Sequence, residues 1–117
     1  MPIDPGTVHL VALLGTLLVE GAGITAWARL WRLRPDRALA AALLVNLVTH
    51  TLFWYAQPHF ARFGPAGLYG AEIVVVLVEA LFYRQRLALT GTTAWLLSFT
   101  LNLASFGAGI LLWHTWF

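Results

Sequence analysis

Four apolar stretches, each close to the roughly 20 residues that carry a helix across a bilayer, fill most of this chain. They fall at about 7–30, 37–57, 67–83 and 91–115, with turn signals between them. The connecting segments are short: RLWRLRPDR, QPHFARFGPAG and YRQRLALTG. Short connections join antiparallel neighbours. The pattern therefore predicts an all-α membrane protein, a single transmembrane domain over residues 1–117 folded as a four-helix bundle. Only 10% of residues are charged, against about 25% in a soluble domain, so a water-soluble fold is excluded.

Every basic side chain is an arginine, and the arginines are unevenly placed. Loop one holds Arg29, Arg32, Arg34 and Arg37, and loop three holds Arg84 and Arg86, while loop two holds only Arg62. The positive-inside bias then puts loops one and three in the cytoplasm and both termini outside. Aromatic residues are expected at the two interfaces: Trp27, Trp31, Tyr83 and Trp95 at the inner one, and Trp54, Tyr55, Tyr69, Trp113 and Trp116 at the outer. The opening MPIDPGTVHLVALL has no basic stretch before its apolar run and carries Asp4, so the first segment reads as a retained span. So few loop arginines make no nucleic-acid-binding face. The absence of cysteine excludes disulfides and thiolate metal sites.

Against this background the ionisable residues inside the spans stand out. AEIVVVLVEA, residues 71 to 80, carries Glu72 and Glu79 seven positions apart. Two helical turns separate them, which puts both on one face about 10 Å apart. Span one carries Glu20 and span two carries His50. Each ionised group costs about 3 kcal/mol to place at the bilayer centre, more than packing four helices requires. Asn46 and His50 are i, i+4 neighbours, and Ser98, Asn102, Ser105 and Gly109 form one stripe on span four. Lipid solvates none of these groups, so they are expected to converge on an internal site. Its inner floor would hold Glu20, Asn46 and Glu79, and its outer floor His50, Glu72 and Ser105, with Asn102 between. Taken singly, Asn46, Asn102, Ser98 and Ser105 also fit helix–helix hydrogen bonding, and the Gly21/Gly23 and Gly107/Gly109 pairs fit close helix packing. His9, His59 and His114 fall near ends or loops, where solvated or interfacial roles are expected, and Asp4 reads as a solvated tail residue.

A weak internal match accompanies the acids. LLVEGAG and VNLVTH in the first half echo VLVEALF and LNLASF in the second. This reads as two parallel-repeated helical hairpins, with Glu20 equivalent to Glu79 and each facing the asparagine of its own hairpin, Asn46 or Asn102.

Three functional readings fit. In the first, the site binds or translocates a cation, either a proton or a divalent metal. His50, Glu72 and Glu79 would then be ligands for zinc, manganese or iron, and Glu20, Asn46, Asn102 and Ser105 would complete the site. In the second, an intramembrane enzyme acts on a lipid or a membrane peptide. Its catalytic group would be Glu72 or Glu79 as general base, His50 as acid, and Asn46 or Asn102 as oxyanion donor. In the third, the chain is a structural subunit of a membrane complex. The expected partners are the lipid bilayer and either a second copy of the chain or another membrane protein, with no nucleic acid. No zinc-protease, phosphate-loop, nucleophile-elbow or dinucleotide fingerprint is present.

Overall fold

The computed structural model describes residues 4–116. Four helices follow in order: α1 (Pro5–Leu30), α2 (Pro35–Ala61), α3 (Pro65–Arg86) and α4 (Gly91–Trp116). All four are long and apolar enough to cross a membrane, and no strand occurs among the described residues. Each helix packs on the next in sequence, and α1 closes the ring against α4. The result is an up-down-up-down bundle 46 Å long. That length exceeds the roughly 30 Å hydrocarbon layer.

Local chemistry explains the helix boundaries. Proline opens α1, α2 and α3, where its missing N–H costs nothing and its fixed φ suits the first turn. Asp4 is more than a solvated tail residue: its side chain accepts a hydrogen bond from the Thr7 amide at 3.1 Å and caps α1. Pro58 lies inside α2 rather than in the loop, and the chain turns only at Arg62–Gly64. Gly64 sits at φ 69°, and a Cβ on Gly67 would collide with the Phe60 carbonyl oxygen. Glycine at both positions therefore makes the three-residue turn.

The two arginine-bearing loops share one geometry. Leu33 N–H donates to the Ala28 carbonyl at 2.8 Å, and Leu89 N–H donates to the Arg84 carbonyl at 3.2 Å. The preceding residues, Arg32 and Ala88, take left-handed φ values of 56° and 52°. Both are Schellman endings built without glycine. Each places a leucine, Leu33 or Leu89, against the core.

The core is confined to the arginine-loop half. Ile24, Ala28, Ala38, Ala42, Tyr83, Ala94 and Leu97 are its most deeply buried apolar members. Tyr83, expected at the inner interface, lies entirely inside the bundle. It sits one turn from Glu79 and therefore on the same inward face. Trp31 and Trp95 are exposed on the bundle surface, as are Tyr55 and Tyr69 toward the other end. The side chains of Trp113 and Trp116 lie outside the described residues. Gly23 permits close approach, since a Cβ there would come within 2.5 Å of Leu101 Cδ2. Gly107 and Gly109 do not have this role: both face open space.

A chamber lined by all four helices

Toward the α2–α3 turn, no described residue beyond Glu20, Thr49, Glu79 and Leu101 is buried. At this level the bundle opens into a polar chamber of about 110 Å³. α1 contributes Thr16 and Glu20, and α2 contributes Asn46, Thr49 and His50. Glu72 and Glu79 come from α3, and Asn102 and Ser105 from α4. The sequence-derived residues thus converge on one space, as expected of polar groups that lipid does not solvate.

The three carboxyl groups differ in their surroundings. Glu79 is fully buried and clasped from two sides. Asn102 Nδ2 donates to Glu79 Oε2 at 2.6 Å, and Thr49 Oγ1 lies 2.8 Å from Glu79 Oε1. The Asn102 amide spends its second hydrogen on the Ser98 carbonyl at 2.8 Å. Ser98 itself donates across to the Val76 carbonyl at 2.7 Å, stitching α4 to α3.

Hydrogen counting identifies the form of Glu79 that fits this geometry. The Thr49 hydroxyl has one hydrogen but two acceptors at 2.8 Å, Glu79 Oε1 and the Val45 carbonyl. A neutral Glu79 satisfies all of them: its carboxyl hydrogen goes to Thr49 Oγ1, Thr49 donates to Val45, and Asn102 donates to Oε2. An ionised Glu79 leaves one of the two 2.8 Å oxygen–oxygen contacts at Thr49 without a hydrogen between the atoms.

Glu20 has no such clasp. It is 0% exposed, and neither carboxyl oxygen has a hydrogen-bond partner among the described residues. Asn46, its expected partner, donates instead to the Ala42 carbonyl in its own helix at 2.8 Å. The Glu–Asn pairing therefore holds in the second hairpin and fails in the first. Register explains the difference. Counted from the matching loops, Asn46 and Asn102 occupy the same position, but Glu79 corresponds to Gly23 and Glu20 to Val76. The three-residue offset, about 4.5 Å along a helix, takes Glu20 away from the asparagine level and toward the open end. Glu72 corresponds to Thr16 in the same register.

Glu72 is half-buried on the chamber wall, and His50 is likewise half-buried on α2. The His50 ring stacks on His9 at 5.3 Å between centroids, and His9 stacks on Trp54 at 4.9 Å. His9 thus meets His50 across α1 and α2, which its position near the first span's end did not predict. Both Nδ1 atoms are buried without partners. His50, Glu72 and Glu79 line one chamber, but among the described residues no three His, Asp or Glu side chains are grouped closely enough to hold a metal ion. Ser105 Oγ donates to the Asn102 carbonyl at 3.2 Å.

Sequence reasoning noted Thr49 only as a neighbour of Asn46 and His50, placed His9 near a span end, and passed over Thr16. Thr49 carried a usable signal: it follows Asn46 by three positions, which puts it on the same helical face. Comparison with protein families, with curated proteins and with solved structures finds no match to this chain.

Proposed function

We propose that this integral membrane protein binds and passes a cation through the chamber, with the proton as the exchanging species and Glu20 as the exchanging group. The observation that carries this reading is Glu20 itself. Its carboxyl is wholly buried at membrane depth, lacks any hydrogen-bond partner among the described residues, and borders a polar space. An ionised carboxylate so placed is costly. It is neutral unless a cation joins it, so proton release and cation entry are coupled. Glu79, held by Thr49 and Asn102, is a fixed neutral clasp. Glu72, half-buried, lines the same chamber as Glu20. The chamber suits a proton better than a divalent metal, because its acids do not converge as a ligand set. It suits catalysis less, because of the two candidate oxyanion donors Asn102 has both amide hydrogens engaged and Asn46 gives one to the Ala42 carbonyl of its own helix.

Infrared difference spectra of the protein in bilayers test this assignment. Between acidic and alkaline buffer, the carbonyl stretch of protonated carboxyls should lose a component that is missing in Glu20→Gln. The component missing in Glu79→Gln should be insensitive to pH. A pH-dependent component that survives Glu20→Gln would remove Glu20 from the role.

The arginine distribution orients the bundle with its packed half toward the cytoplasm, so the chamber lies nearer the outer surface. Cysteines introduced at Pro35 and Gln85 should resist an impermeant thiol reagent in intact cells, and a cysteine at Gly64 should react. The reverse pattern would invert this orientation.

A further inference from the structure

The chamber has a lateral continuation. Glu72, Asn102 and Phe106 also border an apolar groove of about 350 Å³ between α3 and α4. Ile73, Leu77, Phe99 and Leu103 line it and are exposed on the lipid-facing surface, with Tyr69 and Trp95 completing the wall. We propose that this groove holds the alkyl chain of an amphiphile whose protonated amine headgroup meets Glu72 at the chamber wall. The proposal rests on the cation-binding reading above and names the class of cation.

Size, charge and continuity support it. The chamber alone is too small for an organic ligand, whereas the groove reaches the few hundred cubic ångströms typical of small-molecule sites. Among the residues lining either space, none is arginine and three are glutamates. Glu72 is the one of the three that borders the groove: an anionic headgroup would oppose its carboxylate, and a simple hydrocarbon would leave it unpaired. Glu20, buried and without a partner, lines the same chamber as Glu72, so an ammonium held at Glu72 shares that space with a second carboxyl able to exchange a proton. The bundle also contains its own comparison. A larger hollow of about 710 Å³ between α1 and α2 is lined by Leu14, Leu18, Leu39 and Leu43, and includes Arg29 but no carboxylate. Lipid tails fit either hollow, but only the α3–α4 groove offers a counter-charge.

The test uses a long-chain alkylamine with a diazirine in its tail, photo-crosslinked to the protein in phosphatidylcholine nanodiscs and mapped by mass spectrometry. The alcohol and the carboxylic acid with the same tail serve as comparison probes. The amine should label Ile73, Leu77, Phe99 and Leu103 about tenfold more than the alcohol does, the ratio one modest ion pair supplies. It should show no such preference at the α1–α2 hollow. Glu72→Gln should bring amine labelling down to the alcohol level, and Glu72 is half-buried with no hydrogen bond among the described residues that folding would lose. Equal labelling by amine and alcohol in the unaltered protein would overturn the proposal, as would preferential labelling by the acid. If that equality accompanies a Glu20-dependent infrared change, the amphiphile falls and the proton site stands. An amine preference without the infrared change would retain the ligand and remove proton exchange.

Discussion

Glu79→Ala should destabilise the bundle by about 2–4 kcal/mol, the range for truncating a large buried side chain, whereas Glu79→Gln should be nearly neutral. The alanine removes the bridge from α3 to Thr49 on α2 and to Asn102 on α4, and leaves a cavity at a position that is 0% exposed. Interhelical hydrogen bonds in membranes are individually worth only about 0.6 kcal/mol, so most of the loss comes from the cavity. Glutamine reproduces the neutral pattern. With its amide nitrogen toward Thr49 and its oxygen toward Asn102, it donates where the carboxyl hydrogen did and accepts where Oε2 did. Unfolding by denaturing detergent in mixed micelles measures both variants. If glutamine proves as damaging as alanine, Glu79 is ionised and the hydrogen count around Thr49 has been resolved another way.

Glu20→Leu should have the opposite effect on stability, a gain of about 1–3 kcal/mol, the cost of burying a polar group without a partner. Leucine is similar in size, lies one turn from Ile24, and leaves no hydrogen stranded because Glu20 bonds to none among the described residues and the neighbouring Ser105 hydroxyl keeps its bond to the Asn102 carbonyl. The same change should abolish proton exchange. A residue retained against stability is the expected mark of a functional group. Loss of stability in Glu20→Leu would mean that the carboxyl has a structural partner, and would move Glu20 into the same class as Glu79. Together the two substitutions separate a clasp from an exchanger on diagonally opposed helices, α3 and α1, of one chamber.

The fold was legible because uninterrupted hydropathy and arginine-bearing turns are local properties. Both survive without knowledge of the neighbouring helices. Pro58 was misplaced because a proline reads as a turn, while a helix at the bilayer surface tolerates one lost backbone bond near its end. The acids and asparagines were legible because any charge in a long apolar run needs company. Their pairing was not. Spacing along one helix fixes a face, but the slide of one helix against the next depends on how the loop closes. Here the two matching loops align Asn46 with Asn102 and leave Glu20 three positions out of register with Glu79. The match between LLVEGAG and VLVEALF concealed that slip. The His9–His50 stack was hidden for the same reason: it joins α1 to α2 near the end farthest from their shared loop.

Proton movement into sealed vesicles tests the central claim most directly. The protein is reconstituted with an internal pH-sensitive dye, an outward gradient of a permanently charged alkylammonium salt supplies the exchanging cation, and equal potassium with an ionophore clamps the potential at zero. The account predicts uptake well above that of protein-free vesicles, and a loss of at least about tenfold in Glu20→Gln, which keeps the side-chain volume but holds no exchangeable acid proton. Unchanged uptake in Glu20→Gln, or uptake by the unaltered protein no faster than through lipid alone, would contradict it.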